Sequence, residues 1–359
     1  MGMRWQWQSL AVSATLLGME TRQPAQHVSL VATRDVIIGT LTGLHDVFNC
    51  FGALGWFDEA LARHPPFSVD IVAAGEGPLT LDAGLSLLKK RSVEEVTHTD
   101  LVIVPSFMVV DGEWQTGRYP ELVDWLLAMH VGGARLCLAC SGTLLLAETG
   151  LLDGREATMH WAYADTFRRH FPQVTLALEK TLIIEGEHQE LVMSGAGSSW
   201  QDLALHLVAR QLGSGVAQAI AKFFAFDLHT DGMAAYSVFS PRFDHGDAVV
   251  ERAQRWIAEH LDCHSPVERM AAGSGAAERS FQRRFLKATG YSPIQYVQAL
   301  RLEEAKRLLE RTSRPIDEIA WAVGYEDPAF FRRLFKRQAG ITPGGHRRKF
   351  HVPGATCPP

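Results

Sequence analysis

The last third of this 359-residue chain repeats itself. Shifted by 50 positions, Phe281, Arg283, Phe285, Gly290 and Pro293 fall on Phe331, Arg333, Phe335, Gly340 and Pro343, and Ser292 falls on Thr342. Upstream, Met270-Ala271 and Ile319-Ala320 hold matching places, with one additional residue in the second copy. A unit this short cannot bury an apolar face alone, so the pattern demands one supersecondary element used twice.

The local chemistry of each copy is legible. Ser265-Pro266-Val267-Glu268 has the spacing of a capping box with proline at the first helical position, and Pro315 with Asp317 starts the matching helix. Gly273 and Gly275 in the first copy, and Gly324 in the second, break those short helices. A second helix then follows, with an apolar face of Phe281, Phe285 and Leu286 or of Phe331, Leu334 and Phe335. The result is helix, tight turn, helix, twice over. Between the copies, Ser292-Pro293 caps a helix running to about Arg311, a rigid spacer of about 27 Å.

Charge points the same way. Residues 246–351 carry 19 Lys and Arg against 13 Asp and Glu, net +6, while the rest carries 16 against 27, net −11. A basic module joined to an acidic one suits a polyanion partner, although an ordinary solvated helical surface would carry similar charges. In a helix-turn-helix the start of the second helix enters the major groove, which makes Arg279, Gln282, Ala329 and Arg332 the base-facing candidates. Arg283, Arg333 and Lys336 are the accompanying DNA contacts. Some of these groups are expected to pair with Glu278 or Glu326 instead, leaving at least one base-facing candidate without a base.

Residues 247–351 resemble the DNA-binding domain of the AraC family of transcription regulators. The stretch from Ile319-Ala320 through Gly324-Tyr325 and Pro328 to Lys336, closing on Gly340-Ile341-Thr342-Pro343, carries the resemblance. One departure is Gly345-His346, where the family often has an aromatic residue. Two recognition helices on one duplex, about one turn (34 Å) apart, are what the resemblance and the spacer imply.

Residues 26–212 read differently. Apolar runs at 35–39, 68–72, 101–105, 135–139 and 191–194 alternate with helical stretches, the pattern of an α/β doubly wound, flavodoxin-like sheet. Ligands of such sheets sit at the carboxyl ends of the strands. There the fourth run ends in Ala139-Cys140-Ser141-Gly142 ahead of a helix, the layout of a nucleophile elbow in which thiolate is favoured. With His160 and Asp46, Cys140 would make a catalytic set; the same residues serve equally as a buried thiol beside a structural histidine.

This module resembles the class I glutamine amidotransferase-like superfamily, which includes intracellular-protease-like and deglycase enzymes. Its nearest branch is the GlxA-type regulators, fused to AraC-type domains, and the run Gly150 to Arg155 with Thr158 to Trp161 carries the likeness. Enzymes of the superfamily usually place histidine after the elbow cysteine. Ser141 stands there instead, so no catalysis is expected. The resemblance implies a sensor domain answering to an amine or amino-acid-like metabolite. Asp46, Phe107, Cys140, Ser141, His160 and Trp161 are the candidate ligand residues, Trp114 a third cation–π face beside Phe107 and Trp161, and Asp46 a countercharge.

At 47% apolar and 21% charged residues, the chain is neither disordered nor fibrous, and no apolar run reaches the ~18–20 residues of a membrane helix. Five scattered cysteines without paired CxxC motifs fit reduced thiols and exclude a structural zinc pattern. Residues 1–25 imitate a signal peptide only loosely and are expected to be a flexible extension. Residues 213–246 are expected to connect the α/β domain to an all-α domain with two helix-turn-helix motifs, residues 352–359 forming a tail. Read as a whole, the sequence describes a cytoplasmic homodimeric regulator that binds double-stranded DNA and a small effector, engages RNA polymerase, and uses no cofactor or metal. The alternatives are a Cys140-dependent hydrolase or hydratase with secondary DNA binding, and a helical tail devoted to protein interaction.

Overall fold

A computed structural model describes residues 25–75, 77–87 and 91–352. The expected N-terminal extension, residues 353–359 of the tail and Cys357 lie outside these residues. The first part runs β1 (Gln26–Val31), α1 (Ile38–Asn49), α2 (Glu59–Arg63), β2 (Phe67–Ala73), β3 (Leu79–Thr80), β4 (Ser86–Leu87), β5 (Arg91–Ser92), β6 (Leu101–Val104) and α3 (Pro120–Val131). It continues β7 (Arg135–Ala139), α4 (Gly142–Glu148), β8 (Glu156–Ala157), α5 (Ala164–His170), β9 (Thr175–Leu176), β10 (Leu182–Glu185), β11 (Leu191–Ser194), α6 (Trp200–Leu212) and α7 (Ser214–Phe224).

Alternation inside single strands sets the layers. In β7, Leu136 and Leu138 face the core built with α3, α4 and α5, while Cys137 and Ala139 face the core built with α1, α6 and α7. Side chains of successive strand residues point to opposite faces, so a strand apolar on both must be covered on both. The sheet order is β10-β11-β7-β6-β1-β2-β5, parallel throughout except for β10 against β11. The chain lays β2 and β5 on one side of β1 and then crosses to β6 and β7 on the other. That reversal makes the carboxyl ends of β1 and β6 the natural crevice.

Four expected strands form and the fifth is displaced. Residues 35–39 are not a strand: Val36 makes only an isolated bridge to Phe107, and Ile38 begins α1. The true first strand is Gln26–Val31. Its polar His27 and Ser29 interrupt the apolar run, but both find partners inside, His27 Nδ1 at 2.9 Å and Ser29 Oγ at 3.1 Å from Thr99 Oγ1.

The helical part comprises α8 (Ala248–Glu259), α9 (Pro266–Ser274), α10 (Glu278–Thr289), α11 (Pro293–Arg311), α12 (Ile316–Ala322), α13 (Pro328–Ala339) and α14 (Pro343–Phe350). It holds two separate cores. Val250, Ile257, Met270, Phe281, Phe285, Tyr296 and Val297 build one; Leu308, Leu309, Ile319, Val323, Phe331, Leu334 and Phe335 build the other. Both ends of α11 are therefore committed, one to each core. Its capping box, Ser292 with Gln295, forms as the sequence indicates.

Some local expectations fail for definable reasons. Ser265 adopts φ 48° and its side chain caps nothing, so the first copy has no capping box. Gly273 stays helical; the break comes at Gly275, φ 69°. Leu286 is exposed, on the solvent side of a helix whose buried stripe is already filled by phenylalanines. The stretch 213–246 is more than a connector, because α7 buries Val216, Ala217 and Ile220 in the sheet domain. His346, where an aromatic was expected, is buried against the Phe335 and Phe350 rings at 5.6 and 4.5 Å and takes that role. No described helix is long and apolar enough to cross a membrane.

Candidate functional site

All seven expected DNA-contacting residues, Arg279, Gln282, Arg283, Ala329, Arg332, Arg333 and Lys336, are exposed on α10 and α13. Phe281 and Phe285, like Phe331 and Phe335, turn the opposite faces of these helices into the cores. The two helices are not equivalent, however. On α10, Gln282 donates to Glu278 at 3.0 Å, and Arg284 pairs with Asp247, the N-cap of α8. On α13, Arg332 is paired with Asp317 of α12, and Arg333 stands 3.9 Å from Asp327. Glu326, expected to compete for arginine, is held by His264 at 2.8 Å. Neither the Arg279 nor the Lys336 side chain makes a hydrogen bond or ion pair among the described residues.

Sequence reasoning missed the residue that fixes the two units together. Arg301, buried in the middle of α11, donates through Nε to Leu261 O at 2.7 Å and through Nη2 to Cys263 O at 2.9 Å, and stacks over Tyr325. The first two acceptors precede α9 and Tyr325 follows α12, so one guanidinium joins both units. Its signal in the sequence was only a charge on an otherwise apolar stripe.

In the α/β domain, Cys140 occupies the turn between β7 and α4 with φ 57°, a left-handed backbone rare for a side chain with Cβ and held by the hydrogen bond from its N–H to Ser194 O at 3.0 Å. The elbow expected from the sequence is present, and burial works against the thiolate expected there. Cys140 is 3% exposed, and burial pushes its thiol up more than contacts from Ser106, Gly197 and Ser141 lower it. The Ser141 hydroxyl is spent on Phe107, accepting from its N–H at 2.8 Å and donating to its carbonyl at 2.7 Å.

Neither Asp46 nor His160 makes a hydrogen bond to Cys140 among the described residues. Asp46 has a 67% exposed side chain on α1, next to His45. His160 caps a short turn, its Nδ1 accepting from Ala162 N at 3.1 Å, and burial alone lowers its pKa. Phe107 and Trp114 are buried against each other at 5.7 Å, whereas Trp161 lines a cavity of about 920 Å³ bordered by Arg168 of α5 and by Lys287 and Tyr291 of the helical part. The buried carboxylate near Phe107 is Asp35, held by Tyr119 Oη at 2.5 Å and Arg118 at 3.0 Å. Misplacing the first strand hid it. Ser194 and Ser199 bury hydroxyls without a hydrogen-bond partner at the end of β11 and the start of α6.

Two family models match the chain, a helix-turn-helix domain over residues 270–349 and the DJ-1/PfpI family over residues 59–208. Among curated relatives, the HTH-type transcriptional regulator CdhR of Pseudomonas aeruginosa is 27% identical over 80% of this chain and 84% of its own. The HTH-type transcriptional regulator GlxA of Rhizobium meliloti is 28% identical over 80% and 87%. A solved AraC family transcriptional regulator from Pseudomonas putida aligns with 55% of this chain and 99% of its own at 20% identity, TM-score 0.46. The chain joins a DJ-1/PfpI-type domain to an AraC-type helix-turn-helix domain, and the relatives it is similar to over four fifths of its length are HTH-type transcriptional regulators.

Proposed function

We propose that this regulator reads two successive major-groove faces of its operator with α10 and α13, and that a small molecule bound at the Cys140 end of the sheet sets how well it does so. The observation that carries the reading is the attachment of two exposed cationic helices, through separate cores, to one 19-residue helix, α11. At 1.5 Å per residue that helix is about 28 Å long, close to the ~34 Å of one DNA turn. A ligand acts only through its difference in affinity for the two arrangements of the modules.

Turnover is the weaker reading. A thiol whose pKa burial raises, with His160 capping a turn and Asp46 facing solvent, is poorly served with the base and orienting acid that nucleophilic catalysis needs. The effector class, an amine or amino-acid-like metabolite, and a homodimer formed through the α/β domain in the cytoplasm belong to the same proposal. The test has two arms on the full chain. Selection of duplexes in vitro followed by footprinting should return two protected half-sites about one turn apart; a single half-site would refute the two-helix reading. Thermal shift against quaternary ammonium compounds and amino acids should raise Tm for one class and not others.

A further inference from the structure

Residues 229–237, between α7 and α8, are fastened on both sides. On the sheet side, the backbone N–H of His229 donates to Asp202 Oδ1 at 3.0 Å and its ring Nδ1 lies 2.6 Å from Asp202 Oδ2, with both side chains buried. With Nδ1 donating to the carboxylate, Nε2 accepts from the Ser198 hydroxyl at 3.2 Å. Thr181 donates to His229 O at 2.8 Å and Met233 N donates to Glu179 O at 2.8 Å. On the other side, Lys306 of α11 donates to Ser237 O at 2.6 Å, and Lys349 of α14 sits over the Tyr236 ring. The ring of His229 meets that of Tyr236 at 5.5 Å, and Tyr236 meets Phe350 at 5.3 Å. From Phe350 the contacts pass through His346 to Phe335, the buried face of α13.

The sheet-side end of this strap begins beside the Cys140 turn. The Cys140 N–H donates to Ser194 O at 3.0 Å at the end of β11, and Ser198 follows four residues on. We propose that the strap 229–237, latched by Asp202 and His229, carries the state of the Cys140 turn to the second helix-turn-helix unit. Asp202 and His229 are positioning residues in this account: whatever shifts the Gly197–Ser198 turn alters the Ser198–His229 bond, and through Tyr236 the packing beneath α13. A chain of contacts counts as coupling only when perturbing one end biases the other, so the inference is tested by perturbation. It rests on the regulator reading.

The experiment uses the full chain in four forms, native, Cys140→Met as a bulkier side chain at the Cys140 turn, Asp202→Asn, and the double variant. It reads hydrogen exchange over 229–237 and 328–350, and affinity for the best duplex selected in vitro. Asp202→Asn should speed exchange at His229 and Met233 about tenfold or more while β6 and β7 stay protected. Cys140→Met should change exchange over 328–350 and shift duplex affinity several-fold, and both effects should vanish within about twofold in the double variant. An equal Cys140→Met effect with and without Asp202 overturns the proposal. Should Cys140→Met fail to fold, Ser198→Ala cuts the same link at an exposed hydroxyl, and unchanged exchange over 328–350 then overturns it. If the native chain selects no duplex, the regulator reading falls and the exchange data alone decide the strap. Ser198, His229 and Asp202 also have the order of a nucleophilic relay; fluorophosphonate labelling of Ser198 that is lost in Asp202→Asn would replace the latch with a catalytic role.

Discussion

Arg301 occupies the space that a side chain at Gly324 would need: a Cβ on residue 324 would stand 2.5 Å from Nη2 of Arg301 and 2.6 Å from Leu261 O. Gly324 has φ 84°, so a substitution meets backbone strain as well as the clash. Gly324→Ala should destabilise the helical part by more than about 1 kcal/mol, seen as a lower denaturation midpoint at unchanged m. Arg301→Met should cost about 1–3 kcal/mol through the unpaired Leu261 and Cys263 carbonyls and loosen one unit against the other. An unchanged midpoint in either variant would contradict this geometry.

Ser141→Ala tests the site from the other domain. It removes the only hydroxyl that answers both backbone groups of Phe107, leaving a buried N–H and a buried carbonyl unpaired. The expected loss is about 1–3 kcal/mol of stability, with no effect on DNA affinity at temperatures where the chain stays folded. A neutral substitution would mean that Phe107 is hydrated.

The thiols give a pH dependence with a definite sign. Burial raises Cys140 and pushes Cys137 up to about 12 from an ordinary 9.0. The unfolded chain releases these protons near pH 9 while the folded chain keeps them, so the contribution is complete below that pH and is lost as pH rises from 9 toward 12. Equilibrium unfolding from pH 8 to 10.5 should show stability falling, less steeply in Cys137→Ala. At pH 8, Cys140 and Cys137 should react with iodoacetamide far more slowly than partly exposed Cys263. Fast alkylation of Cys140 in the folded chain would reopen the catalytic reading.

The duplicated helices permit a sharper comparison. Arg279→Ala should cost about 1–3 kcal/mol on the selected duplex and relax base preference, while Lys336→Ala should weaken all sequences alike and lower the salt slope by about one. Arg332→Ala should cost less specificity than Arg279→Ala, because Arg332 must leave Asp317 to reach a base. Asp317→Asn should then raise affinity. Equal losses at 279 and 332 would show that the ion pair is not maintained on DNA.

Much of this was legible in the sequence because its signals were local. The Phe281–Phe285 and Phe331–Phe335 pairs, Gly324 and the Ser292 cap each act within one or two turns, and the helical units form around them. Signals that depended on long-range partners were not legible. His27 and Ser29 look unlike a buried strand until Thr99, some 70 residues away, supplies their hydrogen bonds. The thiolate expected at Cys140 followed from its place before a helix, and the packing around it reversed that expectation. Asp46 follows the run 35–39, which is not a strand, and the buried carboxylate in that region is Asp35, whose partners Tyr119 and Arg118 lie more than 80 residues away. Arg301, Asp202 and His229 act across elements, and no spacing rule announces such partners.

The central claim is that exposed cations on α10 and α13 lie along one duplex, and its most direct measurement is the affinity of the full chain for its selected duplex between 50 and 200 mM salt. Each phosphate contact contributes about −0.9 to the slope of log affinity against log salt, so six or more contacts predict a slope steeper than about −5 and a loss on the order of 10³ across that range. A slope near zero would contradict the account.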